Sequence, residues 1–589
     1  MGDAANGMSG RRTLRVIGPL IGAAFLLLSC APSPAERGGS AGQSGTTAAP
    51  KTLRIGMQDQ NEPSGSTDGP ASVAPYGGSG SGSPALEHYF MFHGGLTKFD
   101  PGSQLVANLA EKIPSLADGD WRLLPEGGME VTWKIRPNVL WHDGTPLTAE
   151  DFVLGFQMAI DPQLPKSPRG ELPSIAEVRA VDPHTVLAVW KTQSVLGNVS
   201  ANDGIPAVPR HLFGDLYASG DKTAVENSPL WSTQWIGVGP YRMTNWSLGT
   251  SIEGLAFDQY FLGRPKIDRI IIRYIGDVNA IVANVLAGEV DVVPLGAQFD
   301  IPQLMAIRRA WEGTDSGLTL PIPKGVRTVY LQLRDPTAPW AQDARVRQAL
   351  LHSLDRREFV EALLFGLVDV AEYFGAPEEP AYRLAQQRGV PRYPYDLARA
   401  EQLLAGAGWT RGADRVFRNS AGQPLQIDVT SSNQGANVEE STTIAAQWSA
   451  AGFQSRPTPY PAIAENATEI RHKAPGALIW PYNFSPTVIK TFTRTEVGNE
   501  GNRWRGGNYG GYVNPAYESL YSDLTNTFDM SQRQETSFQL LKILADELPA
   551  LPIFFTPLSL VSRKTVDGPG VVSAMQAANA WNIHMWEMK

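Results

Sequence analysis

A single cysteine, Cys30, occurs among the 589 residues of this chain. No disulfide can form within the chain, so the packing of apolar side chains must hold the folded protein together. The composition supplies enough of them, because 42% of the residues are hydrophobic and 19% are charged, as in globular proteins. Chains longer than about 250–300 residues divide into several cores. We therefore expect several domains, each with a core of its own.

Cys30 follows a segment that is typical of secretory signal peptides. Three arginines precede an apolar run over residues 16–28, which is shorter than the roughly 20 residues that span a bilayer. Residues 27–30, Leu-Leu-Ser-Cys, resemble a bacterial lipobox, which implies cleavage after residue 29 and a lipid on the Cys30 thiol. We predict a signal peptide over 1–29 and a lipid-anchored protein on the outer face of the cytoplasmic membrane or in the periplasm. The alternative is an ordinary signal peptide, and the Arg11-Arg12 pair also resembles a twin-arginine signal, so the export route stays open.

The rest of the chain reads as α/β with two loose segments. Residues 30–50 are rich in Pro, Gly, Ser, Ala and Thr and predict a flexible linker, and residues 63–84 predict a surface insertion. Alternating or continuous apolar residues predict strands, and apolar residues at helical spacing predict helices. The strands are expected at 51–57, 130–135 and 270–272, and the helices at 278–287, 343–354 and 357–364. This mixture indicates α/β domains.

Several classes of function are not supported by the sequence. Without residues 1–29 the chain has 47 basic and 58 acidic residues, which gives a net charge of −11, compared with −9 for the whole chain. It also lacks runs of Lys and Arg. We therefore expect no nucleic-acid binding. The eight histidines are scattered, and the spacing of His88 and His93 does not suit two metal ligands on one helical face. No phosphate-binding loop or nucleophile elbow is present. We therefore expect no catalytic residue, no metal and no cofactor.

Residues 133–152 carry the most specific pattern, a strand, an Asp-Gly turn and a helix that begins after Thr148. This stretch resembles the signature of the family 5 extracellular solute-binding proteins, which serve ABC importers of oligopeptides, dipeptides and nickel. Other segments resemble further blocks of that family in the same order: 239–243, 260–268, 286–291, 343–350, 395–400 with 404–409, and 514–517. On this resemblance the chain is identified as a bacterial, and in particular actinobacterial, member of the family.

The resemblance implies a type II periplasmic-binding-protein fold of the cluster C type, with two hinged lobes and an extra α/β domain. The expected limits are 51–84, 206–320 and 550–589 for lobe I, 85–205 for the extra domain, and 321–549 for lobe II. Hinge strands are expected near residues 321 and 549. The implied partners are a small solute in the cleft and an ABC permease, and we expect a monomer.

The resemblance also implies where the solute binds. In peptide binders of the family, a carboxylate in the segment that corresponds to residues 479–486 pairs with the ammonium group of the peptide. Residues 479–486 of this chain contain no Asp or Glu. The carboxylate is therefore missing or comes from elsewhere. With rings for stacking and an amide for hydrogen bonds, these residues favour a neutral or polar solute, and we expect free peptides to bind poorly. The expected contacts are Trp480, Tyr482, Asn483 and Phe484.

A glycine-rich aromatic loop over residues 504–512 is a second candidate contact region. We expect Trp504, Arg505, Asn508 and Tyr509 to reach the solute, with Arg505 receiving an anionic group. The alternative is a solvent-exposed loop whose rings pack locally.

For the whole protein the main hypothesis is a solute receptor of an ABC importer. The other is an envelope lipoprotein that regulates or scaffolds cell-wall or lipoglycan synthesis on the same fold.

Overall fold

A computed structural model describes residues 49–58, 84–164, 171–200, 204–297, 299, 301–484, 488–573, 575 and 578–589. The predicted signal peptide, Cys30 and nearly all of the linker and of the insertion over 63–84 lie outside these residues. Within them, no helix is both long and apolar enough to span a membrane.

The strands of the described residues include those predicted at 51–57, 130–135 and 270–272. They are β1 (Thr52–Gln58), β2 (Thr97–Phe99), β3 (Leu105–Ala107), β4 (Trp121–Leu123), β5 (Met129–Lys134), β6 (Ile175–Asp182), β7 (Thr185–Trp190), β8 (Tyr241–Ser247), β9 (Ser251–Ala256), β10 (Arg269–Ile275), β11 (Val292–Val293), β12 (Gly317–Leu331), β13 (Thr410–Arg411), β14 (Phe417–Arg418), β15 (Val429–Ser432), β16 (Pro457–Tyr460), β17 (Ala477–Asn483), β18 (Ala550–Arg563), β19 (Val566–Asp567) and β20 (Glu587–Met588).

The helices confirm the predictions at 278–287, 343–354 and 357–364 to within two residues at each end. They are α1 (Pro84–Phe92), α2 (Ala149–Ile160), α3 (Arg210–Ala218), α4 (Lys222–Glu226), α5 (Val278–Ala287), α6 (Ile301–Ala310), α7 (Pro339–Gln342), α8 (Ala344–His352), α9 (Arg356–Leu364), α10 (Pro380–Gln387), α11 (Leu397–Gly406), α12 (Asn437–Ala451), α13 (Ala467–Lys473), α14 (Pro515–Asn526) and α15 (Met530–Glu547).

One ten-stranded sheet runs through both lobes, in the order β16-β15-β17-β12-β18-β11-β1-β10-β9-β8. Its two central strands, β12 and β18, are long and antiparallel, and they pair from Gly317 with Arg563 to Tyr330 with Ala550. Different parts of these strands pack in different apolar cores. Ile322 packs in the core of lobe I, whereas Val326 packs in a core of lobe II. Both strands therefore pass from one lobe to the other.

We name the place where they pass the crossing point and define it as residues 323–325 of β12 and 556–557 of β18. It lies close to the strand position predicted at 321 but several residues beyond the one predicted at 549. The difference arises because β18 begins inside lobe II, where Leu551 and Phe554 join the core. Residues 550–555 thus pack with lobe II, although we predicted them in lobe I.

The extra domain has a four-stranded antiparallel sheet, β4-β5-β7-β6, and a core of its own that includes Trp133 and Phe152. Helix α1 packs instead in the core of lobe I, although its residues fall inside the predicted range 85–205. The signature over 133–152 folds as expected into β5, a turn at Gly144 (φ 89°) and α2. The Asp151 carboxylate accepts the Thr148 N–H at 2.7 Å and thereby fixes the start of α2.

Candidate solute-binding cleft

The parallel strands of both lobes run toward the crossing point. In lobe II, β15, β16 and β17 are parallel, and Asn483 at the end of β17 pairs with Gly325. In lobe I, β1, β10 and β11 are parallel, and β11 runs along β18 toward the crossing point, since Val292 pairs with Ser562 and Val293 with Val561. Open α/β sheets bind ligands beyond the carboxyl ends of their strands. The two facing edges therefore form the candidate cleft.

The backbone at the crossing point is irregular in a way that favours bending. Pro323 and Pro557 stand opposite each other, and neither has an N–H to donate to the ladder. The pairing register then shifts between Pro323 and Gly325, so that Lys324 forms a bulge. Main-chain hydrogen bonding is thus weakest where the lobes join.

Lys324 brings a charge to this bulge. Its carbonyl accepts the Phe484 N–H at 2.9 Å, which ties the crossing point to the end of β17. The side chain is half-buried, and burial lowers the pKa of its ammonium group. No hydrogen bond or ion pair joins that ammonium to another of the described residues. Such a group is able to receive an anionic part of a solute.

An ion pair fixes the lobe II edge of the cleft. Arg327 lies two residues beyond the crossing point, and its Nε donates to Glu440 Oε2 at 2.5 Å, with both residues 8% exposed. The Arg327 guanidinium also donates to Asn437 in the first turn of α12. Asn437 in turn donates to the Ser432 hydroxyl at 2.7 Å. The contacts join β12, α12 and the end of β15 into one rigid rim.

The four predicted contacts on β17 and directly after it differ in how far they reach the surface. Asn483 is exposed and lies at the crossing point. Tyr482 and Phe484 are only 3% and 1% exposed and pack in the lobe II core, so their rings serve mainly as structural support. Trp480 is half-buried, with the Arg471 guanidinium 4.4 Å from its ring centre. Of the four, Asn483 is the residue that is exposed beside the crossing point, and its contact with a solute stays a prediction.

The predicted loop over 504–512 lies at the other end of the lobe II sheet. The Gly510 carbonyl accepts the Leu333 N–H at 2.8 Å, beyond the distal end of β12. Six residues of strand separate Gly325 from Leu331, or roughly 20 Å. Gly510 therefore lies far from the crossing point, whereas the Tyr509 ring contacts Trp480 on β17. Contact of Trp504, Arg505, Asn508 and Tyr509 with the solute stays a prediction.

The environments of these residues agree with local roles. Asn508 is buried, and its side chain bonds only to main chain, at Thr493 O, Tyr512 O and Tyr512 N, at 2.8–3.1 Å. The Tyr509 ring packs against Tyr330 and Trp480. Trp504 is half-buried beside His472 and Lys473, and Arg505 is exposed. These contacts are local, and contact of the loop with the solute stays a prediction.

Comparisons with known proteins agree with this architecture. The chain matches the model of the family described as bacterial extracellular solute-binding proteins, family 5 Middle, over residues 111–502, more than half of its length. The oligopeptide-binding protein AppA of Bacillus subtilis is 25% identical over 499 residues, which cover 81% of this chain and 83% of AppA. Heme-binding protein A of Haemophilus influenzae is 23% identical over 510 residues, covering 80% of this chain and 86% of that protein.

Among solved structures, HbpA2 from Haemophilus parasuis is similar with a TM-score of 0.72 at 20% identity, over 91% of this chain and 100% of that one. The fold is the type II periplasmic-binding-protein fold, with a large mixed sheet. The relatives are named as binding proteins, which agrees with a role in binding a solute. The chain belongs to family 5 of the bacterial extracellular solute-binding proteins.

Proposed function

We propose that this protein is an extracytoplasmic receptor of an ABC importer, which captures a peptide-like or other polar solute in its cleft and delivers it to the permease. One observation carries the proposal: the carboxyl ends of the parallel strands in both lobes point toward the same crossing point. Two facing edges of this kind provide polar groups from both sides of a solute. The relatives named for oligopeptide and heme binding support the general role and differ in the solute.

Capture requires that the lobes close around the solute, and the crossing point supplies a suitable hinge. The Pro323–Pro557 pair and the Lys324 bulge interrupt the ladder of β12 and β18, so a small change in backbone angles there rotates one lobe against the other. The cores on either side remain intact because the bending is confined to a few residues. We expect a rotation about this point when solute binds.

The proposed membrane anchor of this protein is based on the sequence alone. Lipid on Cys30, joined to the body by the linker over 30–50, would hold the receptor at the membrane that contains its permease. A single cysteine at a lipobox-like site supports this part of the proposal.

Native mass spectrometry of the purified protein is the sharpest test of solute binding. A receptor is expected to retain a small molecule, and dissociation in the gas phase then gives its mass. Small-angle scattering with that molecule should show a smaller radius of gyration than the solute-free protein. A purified protein that retains no small molecule contradicts the proposal and favours the envelope scaffold. A retained molecule that leaves the radius of gyration unchanged contradicts closure of the lobes.

A further inference from the structure

A pocket of about 560 Å³ opens on lobe I, between the last turn of α6 and the first residues of β12. We name it the distal pocket, and its lining includes Met305, Arg308, Arg309, Trp311, Glu312 and Gly317. Six residues of strand separate Gly317 from Pro323 at the crossing point, or roughly 20 Å. The distal pocket is therefore separate from the candidate cleft, and solute binding gives it no role.

The floor of the distal pocket is apolar. Met305 and Trp311 are half-buried and pack against the core of lobe I. The Trp311 indole lies directly on the main chain of β12, because a Cβ at Gly317 would stand 2.6 Å from its ring. Among the described residues, no hydrogen bond uses the indole N–H of Trp311. The ring thus offers a bound molecule both an apolar face and a free donor.

Two arginines form the rim of the distal pocket. Arg308 and Arg309 are exposed in the last turn of α6, and no hydrogen bond or ion pair joins either guanidinium to another of the described residues. The Arg309 guanidinium lies 5.7 Å from the centre of the Phe365 ring. Glu312 adds one carboxylate to the rim, so the lining keeps a net positive charge. Paired guanidinium groups above an apolar floor suit a phosphate group that is joined to an apolar part.

The predicted linker enters lobe I at the same end as the distal pocket. One row of residues crosses four neighbouring strands through the pairs Ile55–Val292, Val292–Ser562 and Ser562–Leu318. Strands β1 and β12 run in the same direction, and they begin before this row, at Thr52 and Gly317. Three strand spacings, or roughly 14 Å, separate the two strands. The start of β1 and the distal pocket therefore lie at one end of lobe I.

This end of lobe I is the one that the proposed anchor would hold near the membrane. A flexible linker as long as residues 30–50 has an average end-to-end distance of roughly 25 Å. A lipid on Cys30 would therefore keep the distal pocket within reach of the bilayer surface. Phosphate groups of phospholipids lie at that surface, and arginines close to anionic lipids are attracted to them.

We propose that the distal pocket binds the phosphate group of an anionic phospholipid in the membrane that carries the anchor. The inference rests on the anchoring part of the proposed function and adds a second, non-covalent contact with the same membrane. Arg308 and Arg309 would bind the phosphate oxygens, and Trp311 would offer its N–H and its ring face to the headgroup. The cleft lies roughly 20 Å away, so lipid and solute do not compete for one site.

Sedimentation with vesicles measures this contact in the absence of the anchor. The protein is the predicted mature chain over 30–589 with Cys30→Ala, to which no lipid can be attached. The vesicles contain phosphatidylcholine alone or with about one third phosphatidylglycerol. The protein should prefer the anionic vesicles at low salt, and the preference should weaken as added salt screens the charges.

Two double variants on this background show whether the distal pocket is responsible. Arg308→Gln with Arg309→Gln should lower binding to the anionic vesicles roughly tenfold or more. Arg179→Gln with Arg242→Gln removes the same charge from exposed positions elsewhere on the chain and should keep most of the binding. Equal binding to both kinds of vesicle, or the same loss in both double variants, overturns the inference.

A gain of binding and a second probe complete the test. Glu312→Gln removes the acid from the rim and should strengthen binding to the anionic vesicles, whereas weaker binding would contradict the assignment. Calorimetry that shows binding of inorganic phosphate, together with no preference for anionic vesicles, indicates a site for free phosphate and also overturns the inference. Solute retention is measured without vesicles and lipid attachment by labelling of Cys30, so the proposed function is tested separately.

Discussion

Arg327 on β12 and Glu440 on α12 form a buried ion pair two residues beyond the crossing point. The pair spans a strand that both lobes share and a helix that belongs to lobe II alone. Because Arg327 also donates to Asn437, it binds two side chains of the same helical turn. The rim of the cleft is thereby held to the strand about which the lobes are proposed to rotate.

Loss of one partner of this pair should destabilise the protein strongly. Arg327→Met leaves the Glu440 carboxylate buried without a counter-charge, for which we expect a cost of about 3–5 kcal/mol. Urea denaturation followed by tryptophan fluorescence measures it. Arg345→Met, which removes an exposed pair with Asp343, should cost less than about 1 kcal/mol. A similar loss of unfolding free energy in both variants would show that burial does not make the Arg327 ion pair more important than an exposed one.

Glu379 should make stability depend on pH in the direction opposite to most acids. Burial, opposed by the Ala376 N–H and assisted by Glu378, raises the pKa of Glu379 from 4.5 to about 7. The folded state therefore holds this proton more tightly than the unfolded state, and stability falls as pH rises from 4.5 through 7. By pH 8 the loss reaches about 3 kcal/mol, which Glu379→Gln should remove. Melting curves of both proteins at pH 4 and 8 test this, and a constant difference between them would contradict it.

The crossing point should not tolerate a side chain at Gly325. A Cβ there would stand 2.3 Å from the Tyr482 carbonyl oxygen, so Gly325→Ala forces β12 away from β17. We expect a destabilisation of about 1–3 kcal/mol and weaker solute binding. Gly276→Ala is a matched control, because a Cβ at Gly276 meets no atom within 4 Å. Equal melting temperatures for the two variants would argue against a tight contact at the crossing point.

Cys30→Ala should release the protein from membranes. The thiol is the attachment point of the predicted lipid, and the apolar run before it would be removed with the predicted signal peptide. Membrane fractionation together with metabolic labelling by a fatty-acid analogue measures the effect. A wild-type protein that carries no label and fractionates like the variant would show that Cys30 is not lipidated.

Much of the fold follows from local sequence signals. Helix α5 occupies the predicted residues 278–287 because Asp277 caps its start and Gly288, at φ 80°, ends it. The strand pattern at 270–272 is equally local, since Ile270 and Ile272 point into one core while Ile271 is half-buried. Such signals require only neighbours in the sequence, and the structure confirms them.

The site was harder to predict because it depends on contacts between distant segments. The loop over 504–512 has the residue types of a binding loop, but its hydrogen bond to Leu333 holds Gly510 at the distal end of β12, a contact that the sequence alone does not show. Lys324 was not predicted, because what distinguishes it is the lack of a partner among the described residues, and no sequence pattern records that.

Strands β12 and β18, which both lobes share, determine when the sheet of lobe I can be completed during synthesis. β12 is made before lobe II and β18 after it, and the two strands pair along almost their whole length. The sheet of lobe I therefore stays open beside β11 until all of lobe II has been synthesised. Contacts this distant in sequence form slowly, so an unfinished lobe I exposes an unpaired edge until β18 has been made. The two lobes are in this sense one folding unit, although they have separate cores.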